Sequence, residues 1–145
     1  MKRILVAVDN SPRALGVIDA AVALAHEKDA KLVLFRSVGI PPDLPVEALS
    51  TTPSGLVDVL LERARDGLDK LAQSLPANVL AGVEVAVGVP WQGICRQATL
   101  DDVDLIVIGA HGYGGVDRLL GTTAAKVVNH ADRTVVVVRE KPKSK

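Results

Sequence analysis

Ile4-Leu5-Val6-Ala7-Val8-Asp9-Asn10-Ser11-Pro12 sets five consecutive apolar residues against a polar stop and a helix-starting pair. An apolar run without alternation describes a strand buried on both faces, as in parallel sheets. Asp9 and Asn10 close it. Ser11 offers a helix N-cap, and Pro12 suits the first helical position, where its missing N–H costs nothing. Leu15, Ile18, Val22 and Ala25, with Ala21 and Leu24 beside them, then repeat at helical spacing as far as Lys28.

The alternation continues to the end of the chain. Leu32 to Val38 reads as a second strand, and Leu56 to Leu75 as a helix whose apolar stripe includes Val57, Leu60, Leu61, Ala64, Leu68 and Leu71. Between them, Gly39 to Ser54 carries Pro41, Pro42 and Pro45 and is expected to be a surface loop. Val83 to Val87 alternates as an edge strand would, Pro90 can open a helix through Ile94, Ala98 and Leu100, and Leu105 to Ile108 is a second wholly apolar strand. A helix over Thr123 to Asn129 and a strand over Thr134 to Val138 complete the series, before the charged residues Arg139 to Lys145. The order β-α-β-α-β-α-β-α-β implies an α/β fold, a mostly parallel sheet with helices on both faces. Strands one and four, the most apolar, belong at its centre.

A length of 145 residues bounds the chain to one domain. Phe35, Trp91 and Tyr113 are the aromatics, so the core must be aliphatic, and so few rings argue against a base-stacking platform. Seventeen basic and seventeen acidic residues cancel, which argues against a protein that tracks nucleic-acid phosphates. The single cysteine, Cys95, permits neither an internal disulfide nor a cysteine metal cage. No apolar run reaches the roughly 18 residues of a membrane span, and the apolar start is too short for a signal peptide. A soluble cytoplasmic protein is expected.

Gly109-Ala110-His111-Gly112-Tyr113-Gly114-Gly115 places four glycines at a strand's carboxyl end. Such clustering costs backbone entropy. One reading is a ligand approaching backbone N–H groups; the other is a loop followed by a threonine cap at Gly121-Thr122-Thr123. The spacing of neither the P-loop nor the dinucleotide fingerprint is present. Asp9 is either a ligand-binding carboxylate or a turn residue bonded to its own backbone. His111 can face a phosphate or solvent. Trp91 and Tyr113 can flank a base or fill gaps in the fold. Cys95 reads as a small buried hydrophobe, His26 and His130 as residues facing helix C-termini, and Asp101, Asp102 and Asp104 as a solvated turn. No nucleophile-base pair, paired carboxylates or histidine-rich metal set emerges, so no catalytic residues are assigned.

These residues resemble the universal stress protein family, whose pattern is G-x-x-G, nine residues, then G-[ST]. Gly109 and Gly112 match the first part and Gly121-Thr122 the second, although eight residues, Tyr113 to Leu120, lie between them. The opening Ile4 to Asp9 with Ser11, the block Asp104 to Gly109 and the ending Val135 to Val138 are also similar to the family, and the likeness is weakest from Gly39 to Val79. The resemblance implies a universal stress protein domain over residues 1–140, with 141–145 as a tail. It also implies a doubly wound, Rossmann-like fold of the adenine nucleotide alpha-hydrolase type, a five-stranded sheet in the order 3-2-1-4-5. Strand direction then reverses between strands one and four, where open α/β sheets bind ligands.

By the same resemblance the ligand is ATP or a related adenine nucleotide, with or without Mg. Asp9 would hold the nucleoside, Ser37 and Val38 would contact the adenine, and Ala7 and Pro90 would wall the base. Gly109 and Gly112 would follow the ribose and phosphates, and Gly121, Thr122 and Thr123 would bind the outer phosphates. The implied protein is a stress-response regulator, a homodimer paired through Thr134 to Val138. Two alternatives stand beside it. One is a nucleotide-free dimeric interaction module. The other is a slow ATPase or self-phosphorylating protein with Thr122 or Thr123 as acceptor.

Overall fold

The computed structural model describes residues 3–39, 55–111 and 119–140. The expected loop from residue 40 to 54, the glycines at 112, 114 and 115, and the charged tail from 141 lie outside the described residues. In chain order the elements are β1 (Arg3–Ala7), α1 (Ala14–Lys28), β2 (Lys31–Val38), α2 (Gly55–Ala72), β3 (Leu80–Val87), α3 (Pro90–Leu100), β4 (Leu105–Gly109), α4 (Thr122–His130) and β5 (Thr134–Val138). The strands form one parallel sheet in the order β3-β2-β1-β4-β5. The doubly wound architecture expected from the sequence is the one observed.

Strand periodicity divides the core into two layers. Ile4, Val6, Leu32, Leu34, Leu105 and Val107 point to the face covered by α1 and α2. Their neighbours Leu5, Ala7, Val33, Phe35, Ile106 and Ile108 point to the face covered by α3 and α4. Every one of these side chains is buried, which is why the central strands show no alternation in sequence.

Three local readings change. The first turn of α1 begins at Ala14, two residues after Pro12. The Ser11 N–H donates to Asp9 Oδ1 (2.9 Å), the Ala14 N–H to the Ser11 carbonyl (3.2 Å) and the Arg13 N–H to Ser11 Oγ (3.2 Å). Ser11 to Ala14 is therefore a β-turn with proline at its favoured second position, and the serine hydroxyl serves the turn. Proline does open a helix at Pro90, where the preceding strand ends at Val87 and Val89 is the N-cap.

Leu15 is the second change. It is 55% exposed, because the buried arc of α1 runs through Ala14, Val17, Ile18, Ala21 and Ala25 and leaves Leu15 beyond its edge. Finally, β3 starts three residues earlier than its alternation suggests: Leu80 pairs with Leu32 before an irregularity at Ala81 restores the register at Gly82.

At the amino end of the sheet the Arg133 guanidinium donates to the carbonyls of Ala98 (3.0 Å) and Val103 (2.9 Å), fastening the end of α3 to the approach of β4. Cys95 is half-buried, more open than a core position. Burial, and secondarily the Asp132 carboxylate, push its thiol above the ordinary range, so thiolate is scarce at neutral pH.

Two outcomes follow from this packing. Ile18→Ala should cost roughly 2–5 kcal/mol in urea unfolding, whereas Leu15→Ala should stay within about 0.5 kcal/mol of wild type. Equal losses would mean that α1 is rotated from the position described. Cys95 should alkylate more slowly than free cysteine at neutral pH, measured by mass spectrometry; a faster rate would contradict its raised pKa.

Candidate functional site

Parallel strands end together, so the loops that follow them share one edge of the sheet. β1 lies between β2 and β4, with Ile4 beside Leu105 through Ala7 beside Ile108. The chain leaving β1 turns toward α1, on one face, and the chain leaving β4 runs toward α4, on the other. The two connections part and leave a cavity of about 470 Å³, within the range of small-molecule sites. Among the described residues no group of three His, Cys, Asp or Glu side chains is placed to hold a metal ion, and no helix is long and apolar enough to cross a membrane.

Of the residues singled out in the sequence, Ala7, Asp9, Ser37, Pro90, Gly109, His111, Gly121, Thr122 and Thr123 all line this cavity. Val38 does not: its carbonyl accepts the Gly88 N–H (3.0 Å) as β3 turns away. Gly88 has φ +143°, a conformation that favours glycine. Gly112 lies outside the described residues. Trp91 is also absent from the lining. It stacks on His130 with ring centroids 4.5 Å apart, with Lys126 Nζ 5.8 Å from the ring centre, and joins α3 to α4.

Each lip of the cavity has a local cause. On the β1 side, Asp9 Oδ1 accepts the Ser11 N–H, so the carboxylate does serve its own turn. A carboxylate has lone pairs for further donors, and Asp9 is exposed at the cavity wall. The turn and binding readings of this residue are therefore compatible.

On the β4 side, Ala110 is the junction. Its N–H donates to the Val138 carbonyl (2.9 Å) and its own carbonyl accepts the Gly121 N–H (2.7 Å), tying the end of β5 and the start of α4 to β4. The Gly121 amide is thus spent within the fold. Gly121 is the N-cap of α4 and no side chain caps this helix, contrary to the threonine-cap reading. The first-turn amides from Thr122 onward, with the positive end of the helix dipole, are what the cavity receives. Gly109 owes its lack of a side chain at least in part to packing, since a Cβ there would lie 3.1 Å from Val17 Cγ2.

The lining also includes residues not singled out in the sequence. Phe35, Ile94, Ile108 and Ala124 make an apolar floor, and Ser11 and Arg13 border the Asp9 turn. Gly93 admits Phe35 beneath α3, where a Cβ would lie 3.3 Å from the ring. Ser37 Oγ donates to the Gly88 carbonyl (3.2 Å), which leaves its oxygen able to accept a hydrogen bond. The floor residues carry no distinguishing signal, because a buried wall and a buried core have one composition. Arg13 could have been found from its place beside Asp9 and Ser11.

The model of the universal stress protein family matches residues 1–139. Universal stress protein A homolog 2 of Coxiella burnetii is 32% identical over 154 aligned positions, covering 97% of this chain and 96% of its own. The solved structure of universal stress protein UspA from Lactobacillus plantarum has 31% identity and a TM-score of 0.77, covering 95% of this chain and 97% of that one. The universal stress protein from Archaeoglobus fulgidus, solved in complex with dAMP, shares the fold at 22% identity and a TM-score of 0.59, covering 94% and 97%. With a family match across nearly its whole length and relatives above 30% identity, the chain belongs to the universal stress protein family.

Proposed function

We propose that this protein binds an adenine nucleotide, ATP foremost, in the crevice between β1 and β4, and acts as a nucleotide-dependent regulator of the stress response in the cytoplasm. The observation that carries the reading is convergence. An aspartate turn, the Gly109-Ala110-His111 segment and the uncapped end of α4 surround one cavity with an apolar floor. An apolar pocket for a base beside amides for an anion is the chemistry of a nucleotide site. The Archaeoglobus fulgidus relative's complex with dAMP supports the same ligand class.

In this reading Ala7, Phe35, Pro90 and Ile94 enclose the base, and the Ser37 oxygen accepts from its amino group. Asp9 accepts from the ribose, and the amides and hydroxyls of Thr122 and Thr123 take the phosphates, with His111 between. A divalent ion would arrive with the phosphates, which supply oxygen ligands suited to Mg²⁺. Its chemical contribution would be to neutralise their charge. A site of amides and hydroxyls suits retention of a nucleotide more than its turnover.

The regulator would work as a homodimer. Among the described residues β5 pairs with β4 alone, and its outer edge can pair with the same strand of a second copy, which removes an association hazard.

Nucleotide released from denatured protein should be an adenine nucleotide, and ATP at one hundred times its Kd should add about 2.7 kcal/mol to stability. Absence of both, in millimolar ATP, would leave the interaction-module reading in its place. Asp9→Ala should weaken ATP binding about tenfold or more in calorimetry, with Asp9→Asn in between, since the amide keeps an acceptor and loses the charge. Equal affinities would remove Asp9 from the site. Sedimentation equilibrium should give a dimer; a monomer throughout the micromolar range would discard the β5 pairing.

A further inference from the structure

We infer that Arg36 is a positioning residue: it reaches across the sheet to hold the main chain of the Asp9 turn, and so sets the Asp9 carboxylate where a nucleotide meets it. The consequence for binding rests on the nucleotide reading above; the geometry does not.

Arg36 occupies the register of Leu32 and Leu34, on the α1 and α2 face, opposite the cavity residues Phe35 and Ser37. A guanidinium at a position where its strand otherwise places leucine has to find acceptors, because a half-buried cation without them is costly. It finds them on β1. The Val8 N–H donates to the Phe35 carbonyl (3.0 Å), the last rung before the chain departs. Immediately beyond, Arg36 Nη2 donates to the Asp9 carbonyl (2.9 Å) and Nε approaches the Val8 carbonyl (3.4 Å). The fork thus replaces the sheet ladder at the place where the ladder stops. Asp9 is then held at both ends, by Arg36 on its carbonyl and by the Ser11 N–H on its carboxylate.

A second residue points the same way. Gly67 lies inside α2, where glycine is unfavourable. A Cβ on Gly67 would sit 2.8 Å from Arg36 Nη1, so the helix gives up a side chain where the guanidinium passes. An arginine in an apolar register and a glycine in a helix interior are separate departures from what each element prefers, and the two lie side by side.

The test uses the intact protein and two readouts. In the first, amide exchange by NMR without ligand, Arg36→Met should speed exchange of the Ser11 amide about tenfold, the factor one charge-assisted hydrogen bond supplies. The core strand amides should be unchanged, and Arg36→Lys should restore much of the protection. In the second, Arg36→Met should weaken ATP binding about tenfold by the same conversion, again with partial rescue by lysine. Unaltered Ser11 exchange in Arg36→Met overturns the inference, as does altered exchange with ATP affinity within twofold of wild type. Wild-type protein that binds no nucleotide defeats the proposed function instead, and the exchange readout then decides alone whether Arg36 positions the turn.

Discussion

The pairing of β1 with β4 is the constraint on which the rest of the molecule depends. Ile4 lies beside Leu105 and Ala7 beside Ile108, so two segments a hundred residues apart become neighbours at the centre of the sheet. Parallel pairing puts their carboxyl ends at one edge. Because the connection after β1 leads to one helical layer and that after β4 to the other, the chain parts there, and a crevice results wherever two such connections diverge. Without this register, the Asp9 turn and the start of α4 would share no cavity.

Both lips of that crevice are fixed by hydrogen bonds that include main-chain groups. Ala110 joins β4 to the end of β5 and to the start of α4 through its own N–H and carbonyl. The Asp9 turn is closed by its carboxylate and by the Arg36 fork. A site whose lips are already hydrogen-bonded within the fold is preorganised, which favours binding. Ala110 also gives a route between the cavity and the outermost strand: whatever binds against α4 bears on a residue that contacts the end of β5. A nucleotide can influence that edge only to the extent that it binds two arrangements of it with different affinity.

Much of the fold is legible because burial on both faces leaves an unmistakable trace. Ile4 to Val8 and Leu105 to Ile108 are unbroken apolar runs, and they do form the inner strands. Signals that depend on competition between neighbours were less direct. Pro12 reads as a helix start, but Asp9 captures the Ser11 amide and turns the same residues into a β-turn. Leu15 satisfies helical spacing and still faces outward, since spacing defines a stripe and does not say which residues at its margin the sheet will cover. Trp91, a credible neighbour for a base, instead stacks on His130 of the adjacent helix.

The candidate site divides in the same way. Glycines, hydroxyls and an aspartate at the ends of apolar runs are visible in one dimension, because each costs its element something and so marks its place. The partners of those residues are not visible. Phe35 and Ile94 look like any core residues until the cavity exists, the Gly121 amide looks available until Ala110 takes it, and Arg36 looks like a strand residue until it reaches Asp9. Hydrophobic period and local backbone preference act over a few residues, and the chain carries them wherever it goes. Contacts between β1, β2, α2 and α4 come into being when the sheet assembles, since they depend on which distant segments the packing of two apolar layers brings together.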